Sequence, residues 1–97
     1  MDIQKFPIKI LLHKQGEMIY FSQLDLVRLL ERALRRTDLP IYFTQGFNPR
    51  VKISFHNGLK LGVEGGIETT FYFLANIDLE TLRSKLIPQL PEGLNIR

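Results

Sequence analysis

Ser22-Gln23-Leu24-Asp25-Leu26-Val27-Arg28-Leu29-Leu30-Glu31-Arg32-Ala33-Leu34-Arg35-Arg36 carries both a helix start and a helical apolar spacing. Ser22 followed three residues later by Asp25 approximates a capping box, with Asp in place of the usual Glu or Gln. Leu26, Val27, Leu30, Ala33 and Leu34 recur on one side of a helical wheel, which predicts an amphipathic helix over 23–37. Asp38-Leu39-Pro40 stops it, because the residue before a proline is pushed out of the α region.

The flanks of this helix read as strands. Residues 6–15 alternate, with Phe6, Ile8, Ile10 and Leu12 on one face and Lys9, Leu11 and His13 on the other. Gly16 marks a turn, and Met18-Ile19-Tyr20-Phe21 resumes as a short strand, giving a front hairpin. Beyond the helix, 41–43 reads as a strand, 44–50 as a loop and 51–56 as an alternating strand. Asn57-Gly58 is a hairpin-type pair, and the glycines at 62, 65 and 66 mark further turns. Residues 69–75 form the next strand. Asp78 caps a second helix whose Leu79, Leu82, Leu86 and Ile87 face the core, Pro88 and Pro91 close it, and 93–96 begin a final strand.

The order is β-α-β-β-α-β with an accessory front hairpin. It predicts an α+β, ferredoxin-like split fold, an antiparallel sheet with two helices on one face. The other face is then open, with Lys9, Leu11 and His13 beside Lys52, Ser54 and His56, and Tyr72 or Leu74 from the later strand. Such an architecture serves enzymes, metal carriers and RNA binders alike.

Composition narrows the classes. Ninety-seven residues make a single domain, 1–97, and 44% hydrophobic content can supply its core. The absence of cysteine excludes disulfides, cysteine-ligated iron–sulfur clusters and thiol catalysis. No apolar run approaches the roughly 20 residues of a membrane span, and the start lacks the apolar stretch of a signal peptide. A cytoplasmic location is expected. The formal charge is +3, unevenly spread. Residues 1–60 hold ten Lys and Arg against five Asp and Glu, and 61–97 hold three against five. That excess admits a polyanionic partner, although many small basic domains bind none.

Two constellations are candidates for binding. On the first helix Arg28, Arg32, Arg35 and Arg36 fall within one arc of roughly 100° opposite the leucines. Such a stripe can clamp phosphates or the carboxylates of an acidic protein. It can equally be a solvated face, with Glu31 pairing Arg35, Asp25 pairing Arg28, and late bases complementing the helix dipole. The second candidate is the loop Gln45-Gly46-Phe47-Asn48-Pro49-Arg50 with Lys52 behind it. Gln45 and Asn48 bring amides, Arg50 and Lys52 bring charge, and Phe47 either stacks on a partner or pins the turn to the core.

Other readings are weaker. His13 and His56 lack a carboxylate or thiol in register, so no metal site is expected. Gly62-Val63-Glu64-Gly65-Gly66 is not a phosphate loop, because no Gly-Lys-Ser/Thr follows. Ser22 is explained as a cap. No nucleophile, base and orienter converge, so neither catalysis nor a cofactor is expected.

Six stretches together resemble a known bacterial family. They are Tyr20-Phe21-Ser22-Gln23-Leu24-Asp25-Leu26, Glu31-Arg32-Ala33-Leu34-Arg35-Arg36, Leu39-Pro40-Ile41, Gln45-Gly46-Phe47-Asn48-Pro49-Arg50, Lys52-Ile53-Ser54-Phe55 and Leu61-Gly62-Val63-Glu64-Gly65. The family is the radical-SAM-linked domain of unknown function, found beside or fused to radical S-adenosylmethionine proteins. The resemblance runs over 9–68 and is to the N-terminal half of that longer domain. The chain departs from it at Gln23, where the family often has His, and at Arg50-Val51, where it tends to have His-Pro. The resemblance implies a radical-SAM partner and an accessory role.

The expectation is therefore a non-catalytic accessory module that binds RNA through Arg28, Arg32, Arg35, Arg36, Gln45, Phe47, Asn48, Arg50 and Lys52. The alternative is a protein-docking module for a radical-SAM enzyme, with the same loop or the sheet edge as its contact. A final strand of at most four residues would also leave part of the first strand's edge open, so self-association is expected.

Overall fold

In a computed structural model, which describes residues 3–56, 62 and 64–97, the alternating start becomes β1 (Phe6–Lys14). The capped segment becomes α1 (Gln23–Arg35), followed by β2 (Ile53–His56), β3 (Gly65–Phe73), α2 (Leu79–Leu86) and β4 (Leu94–Ile96). Short 3₁₀ helices occupy Gly16–Tyr20 and Ile87–Gln89.

The result is an α+β fold with a four-stranded antiparallel sheet in the order β2-β3-β1-β4. β1 pairs with β3 along its whole length, from Phe6↔Phe73 to Lys14↔Gly65. β2 joins the far side of β3 from Ile53↔Phe71 to His56↔Glu68. β4 covers only the end of β1, at Leu12, His13 and Lys14. It follows that β1 and β2 run parallel with β3 between them, and β3 and β4 run parallel with β1 between them.

Strand parity then sorts the faces. Ile10 and Leu12 of β1 with Ile67, Phe71 and Phe73 of β3 meet Leu26, Leu30, Ala33 and Leu34 of α1 and Leu82 and Leu86 of α2 in one buried cluster. Both helices therefore cover the same face. The opposite face carries Lys9, Leu11 and His13 of β1, Glu68, Thr70 and Tyr72 of β3, and Ser54 and His56 of β2. The parity reading of the open face holds, with Tyr72 on it and Leu74 just beyond the end of β3.

Local chemistry explains the helix ends. The Ser22 hydroxyl accepts from the Asp25 backbone N–H at 3.1 Å, and Asp25 Oδ2 accepts from the Ser22 N–H at 3.1 Å, closing the capping box. At the other end Thr37 Oγ1 donates to the Leu34 carbonyl at 2.6 Å, and Arg36 caps the helix, which ends at Arg35 rather than residue 37. Asp78 Oδ1 accepts from the Thr81 N–H at 2.6 Å and starts α2 as expected, but Leu79 beside it is half exposed rather than in the core.

Several expected elements differ. Residues 18–21 form no strand: both sides of the end of β1 are already paired, Lys14 to Gly65 and to Leu94, so no hairpin partner has a place. The chain turns at Gly16 (φ 61°) and coils so that Met18 enters the core. Residues 41–43 make only isolated bridges, Ile41 to Phe73 and Phe43 to Val51, because β2 already occupies most of that side of β3. β3 begins at Gly65, not residue 69, and ends at Phe73. The glycines are strand residues there: Leu11 lies over Gly66, where a Cβ would sit 2.8 Å from Leu11 Cδ1. The turn expected at Asn57-Gly58 lies outside the described residues. No helix among the described residues is long and apolar enough to cross a membrane.

Candidate functional site

The outer side of α1 keeps its four arginines exposed, and neither acid expected to neutralise them forms an ion pair with them. Asp25 faces Ser22, and hydrogen bonds from Ser22, with a smaller contribution from Arg28, hold its carboxyl below the usual aspartate range. Glu31 does not reach Arg35. It is buried and accepts from Arg50, whose Nη2 lies 2.7 Å and Nε 3.1 Å from Oε1. The pair raises the Arg50 guanidinium above its ordinary value. The reason is packing: Glu31 sits on the flank of α1 against which the 44–50 loop closes. Among the described residues, none of Arg28, Arg32, Arg35 and Arg36 makes an ion pair.

The loop is thus docked beside the stripe. Its base is closed by the Thr44 N–H to the Arg50 carbonyl at 2.7 Å and by the Arg50 N–H to Thr44 Oγ1 at 3.0 Å. Gln45 Nε2 donates to the Phe43 carbonyl at 3.0 Å, so that amide is engaged within the loop. Gly46 takes φ 134°, a conformation only glycine adopts without strain. Asn48 is exposed, and Phe47 is fully exposed, at 104%. The ring does not pin the turn; the Glu31–Arg50 pair does. A second tie is Arg35, whose guanidinium lies 5.0 Å from the Phe43 ring centre.

Lys52 does not belong with the stripe. The chain crosses to the other side of the sheet, and Lys52 Nζ lies 5.3 Å from the Tyr72 ring centre on the open face. Lys5, which the sequence reading left unassigned, stands over Tyr42 and Tyr72 at 5.6 and 5.7 Å. Its odd number, shared with Lys9 and Leu11, was the available clue. His13 and His56 share this face but lie on opposite sides of β3, against Gly66 and Glu68. His13 Nε2 is 3.7 Å from Glu64 Oε1, and His56 Nε2 is 3.5 Å from Thr70 Oγ1. No group of three potential metal-ligating side chains gathers among the described residues.

Lys14 was also missed. It is buried at 1% exposure, and its ammonium donates to the Ile19 and Phe21 carbonyls at 3.3 and 3.5 Å, tying the end of β1 to the start of α1. Parity placed it on the apolar face, and its charge obscured that.

Chemically, the α1 side offers unneutralised guanidiniums beside an aromatic tip, a surface suited to anions and to an aromatic or apolar contact. Comparison with curated proteins and with solved structures gives no match. A family model described as "Uncharacterized protein conserved in bacteria (DUF2344)" matches residues 8–97, well beyond the stretch over which the motifs were quoted. With nearly its whole length matched, the chain belongs to this bacterial family.

Proposed function

We propose that the protein is a non-catalytic accessory module that binds RNA through Arg28, Arg32, Arg35 and Arg36 with the Phe47 loop beside them. One observation carries this reading: no described carboxylate forms an ion pair with the stripe, because Glu31 is taken by Arg50 while Asp25 is turned into the helix cap and reaches the stripe only through its attraction to Arg28. The four arginines are exposed, Arg35 lying against Phe43, and the loop docked beside them presents a fully exposed Phe47 ring. Phosphates meet the guanidiniums, and an unstacked base meets Phe47. The test is titration of labelled structured RNA, such as tRNA, at two salt concentrations. Saturable binding that weakens with salt is expected; its absence at low salt refutes the reading.

The motif resemblance supports a cytoplasmic radical-SAM system as the setting. A second reading is favoured by Phe47 itself, whose complete exposure suits an anchor in a partner's pocket. In that version the arginines meet carboxylates of the radical-SAM protein. Co-purification of the two proteins that survives Phe47→Ala and Arg50→Ala would eliminate it. We also infer a ferredoxin-like arrangement. Its support is that each helix lies in a connection between two parallel strands separated by a third.

A further inference from the structure

The open face of the sheet carries a second basic surface, distinct from the stripe on α1. At one end of the face stand Lys5, Lys9 and Lys52 around Tyr72. Lys5 and Lys52 share its ring at 5.7 and 5.3 Å, and the Tyr72 hydroxyl is 3.2 Å from Ser54 Oγ. Lys9 pairs with Thr70 while Tyr72 pairs with Pro7, which makes Lys9 a diagonal neighbour of the ring. The acids of the face lie away from the Tyr72 ring. Glu68 is four residues along β3 from Tyr72, about 13 Å away at strand rise, although by the same register it is a diagonal neighbour of Lys9, and Glu64 lies beside His13. No described Asp or Glu makes an ion pair with any of the three lysines.

The two basic surfaces meet at the end of the sheet. Consecutive residues of the 41–43 segment point to opposite sides: Phe43 meets Arg35, and Tyr42 meets Lys5. Tyr42 is held between the strands, its N–H donating to the Tyr72 carbonyl at 3.1 Å and its carbonyl accepting from the Lys52 N–H at 3.3 Å. Basic groups therefore continue from α1 around the sheet end onto the open face.

We propose that this face, through Lys5, Lys9, Lys52 and Tyr72, is a binding site for single-stranded RNA. The proposal rests on the RNA reading above and narrows its substrate class. In a duplex the base faces are hidden in the stack, so a ring on a flat sheet can stack only on an unpaired base. The lysines that cover Tyr72 without a base move outward to the flanking phosphates when one arrives. The charge complementarity is one-sided and local, which suits a polyanion laid along one end of the sheet.

The test compares a labelled 12-nucleotide uridine strand, a 12-base-pair RNA duplex and polyglutamate at low salt, for the native chain and three variants. The sheet variants are Lys5→Glu/Lys52→Glu and Tyr72→Leu; the helix variant is Arg32→Glu/Arg35→Glu. Circular dichroism checks each fold, and Lys5→Gln/Lys52→Gln replaces the reversal should it fail to fold. The native chain should prefer the single strand. The lysine variants should weaken it tenfold or more, and Tyr72→Leu should weaken it by about tenfold while leaving duplex affinity unchanged. Normal binding by the sheet variants alongside loss in the helix variant overturns this proposal and leaves the α1 reading standing. No saturable binding of the native chain to either RNA overturns the α1 reading as well. Equal affinity for strand, duplex and polyglutamate, insensitive to Tyr72→Leu, overturns it in favour of an acidic protein partner.

Discussion

Glu31 does two things at once: it anchors the 44–50 loop through Arg50, and by doing so it leaves Arg35 without a carboxylate. Glu31→Gln should lower the melting temperature, because the loop loses a charge-assisted tie at the flank of α1. The same change should tighten RNA binding at low salt, since Arg50 is released to the basic surface. A thermal melt and an anisotropy titration on one preparation check both. Phe47→Ala should leave the melting temperature unchanged, because a fully exposed ring contributes no packing, and should weaken RNA binding. Readability at this scale depended on distance along the chain. The exposed arginines followed from helical spacing alone. The Glu31–Arg50 pair spans 19 residues, and helix spacing rules pointed Glu31 to Arg35 instead. Lys52 was read two ways, with the loop by its place in sequence and on the open face by strand parity, and the parity placement is the one the structure has.

Among the elements, α1 and α2 were readable because their starts are local chemistry. Ser22→Ala should cost about 1 kcal/mol, a fall in melting temperature of about 4–8 °C for a domain of this size. The capping box also has a pH dependence. Ser22 holds the Asp25 carboxyl below its unfolded value, so its stabilisation is present above the ordinary aspartate range and is lost as pH falls through the lowered folded value. Asp78, lowered by its bonds to Thr81, behaves alike for α2. Acid titration of helicity should therefore be less steep in Ser22→Ala than in the native chain. The strand β4 depends on Gly93, which takes φ 92° and whose carbonyl accepts from the Gln15 N–H at 2.8 Å. A Cβ there would lie 2.6 Å from the Gln15 carbonyl oxygen, so Gly93→Ala should destabilise the domain by about 2 kcal/mol, measurable by urea unfolding. The front hairpin was misread because pairing is a property of the sheet: residues 18–21 have strand-like composition, but β3 and β4 had already taken both sides of β1.

At the scale of the molecule, the short β4 leaves residues 6–10 of β1 without a strand beyond them among the described residues, as the length of the last strand foretold. The Arg97 N–H donates to the Leu11 carbonyl at 2.8 Å, so odd residues of β1 direct their backbone groups outward. Pro7 is one of them and offers no donor, and Lys9 places a charge beside the same edge. We propose that self-association through this edge is therefore weak, and that Pro7→Thr strengthens it; sedimentation equilibrium over a range of concentrations reads both. The α+β class with two helices on an antiparallel sheet, and the core face they share, were within reach of element order, strand parity and helix periodicity. The wrap of basic groups from α1 to Tyr72 was not, since it depends on which side of the sheet each end of a seven-residue loop emerges.

The central claim is that the α1 stripe meets phosphates, and the salt dependence of RNA affinity tests it most directly. Neutralising two contacts with Arg32→Gln/Arg35→Gln should weaken binding at low salt and reduce the slope of log affinity against log salt by about 2. An affinity and a slope indistinguishable from those of the native chain would contradict it.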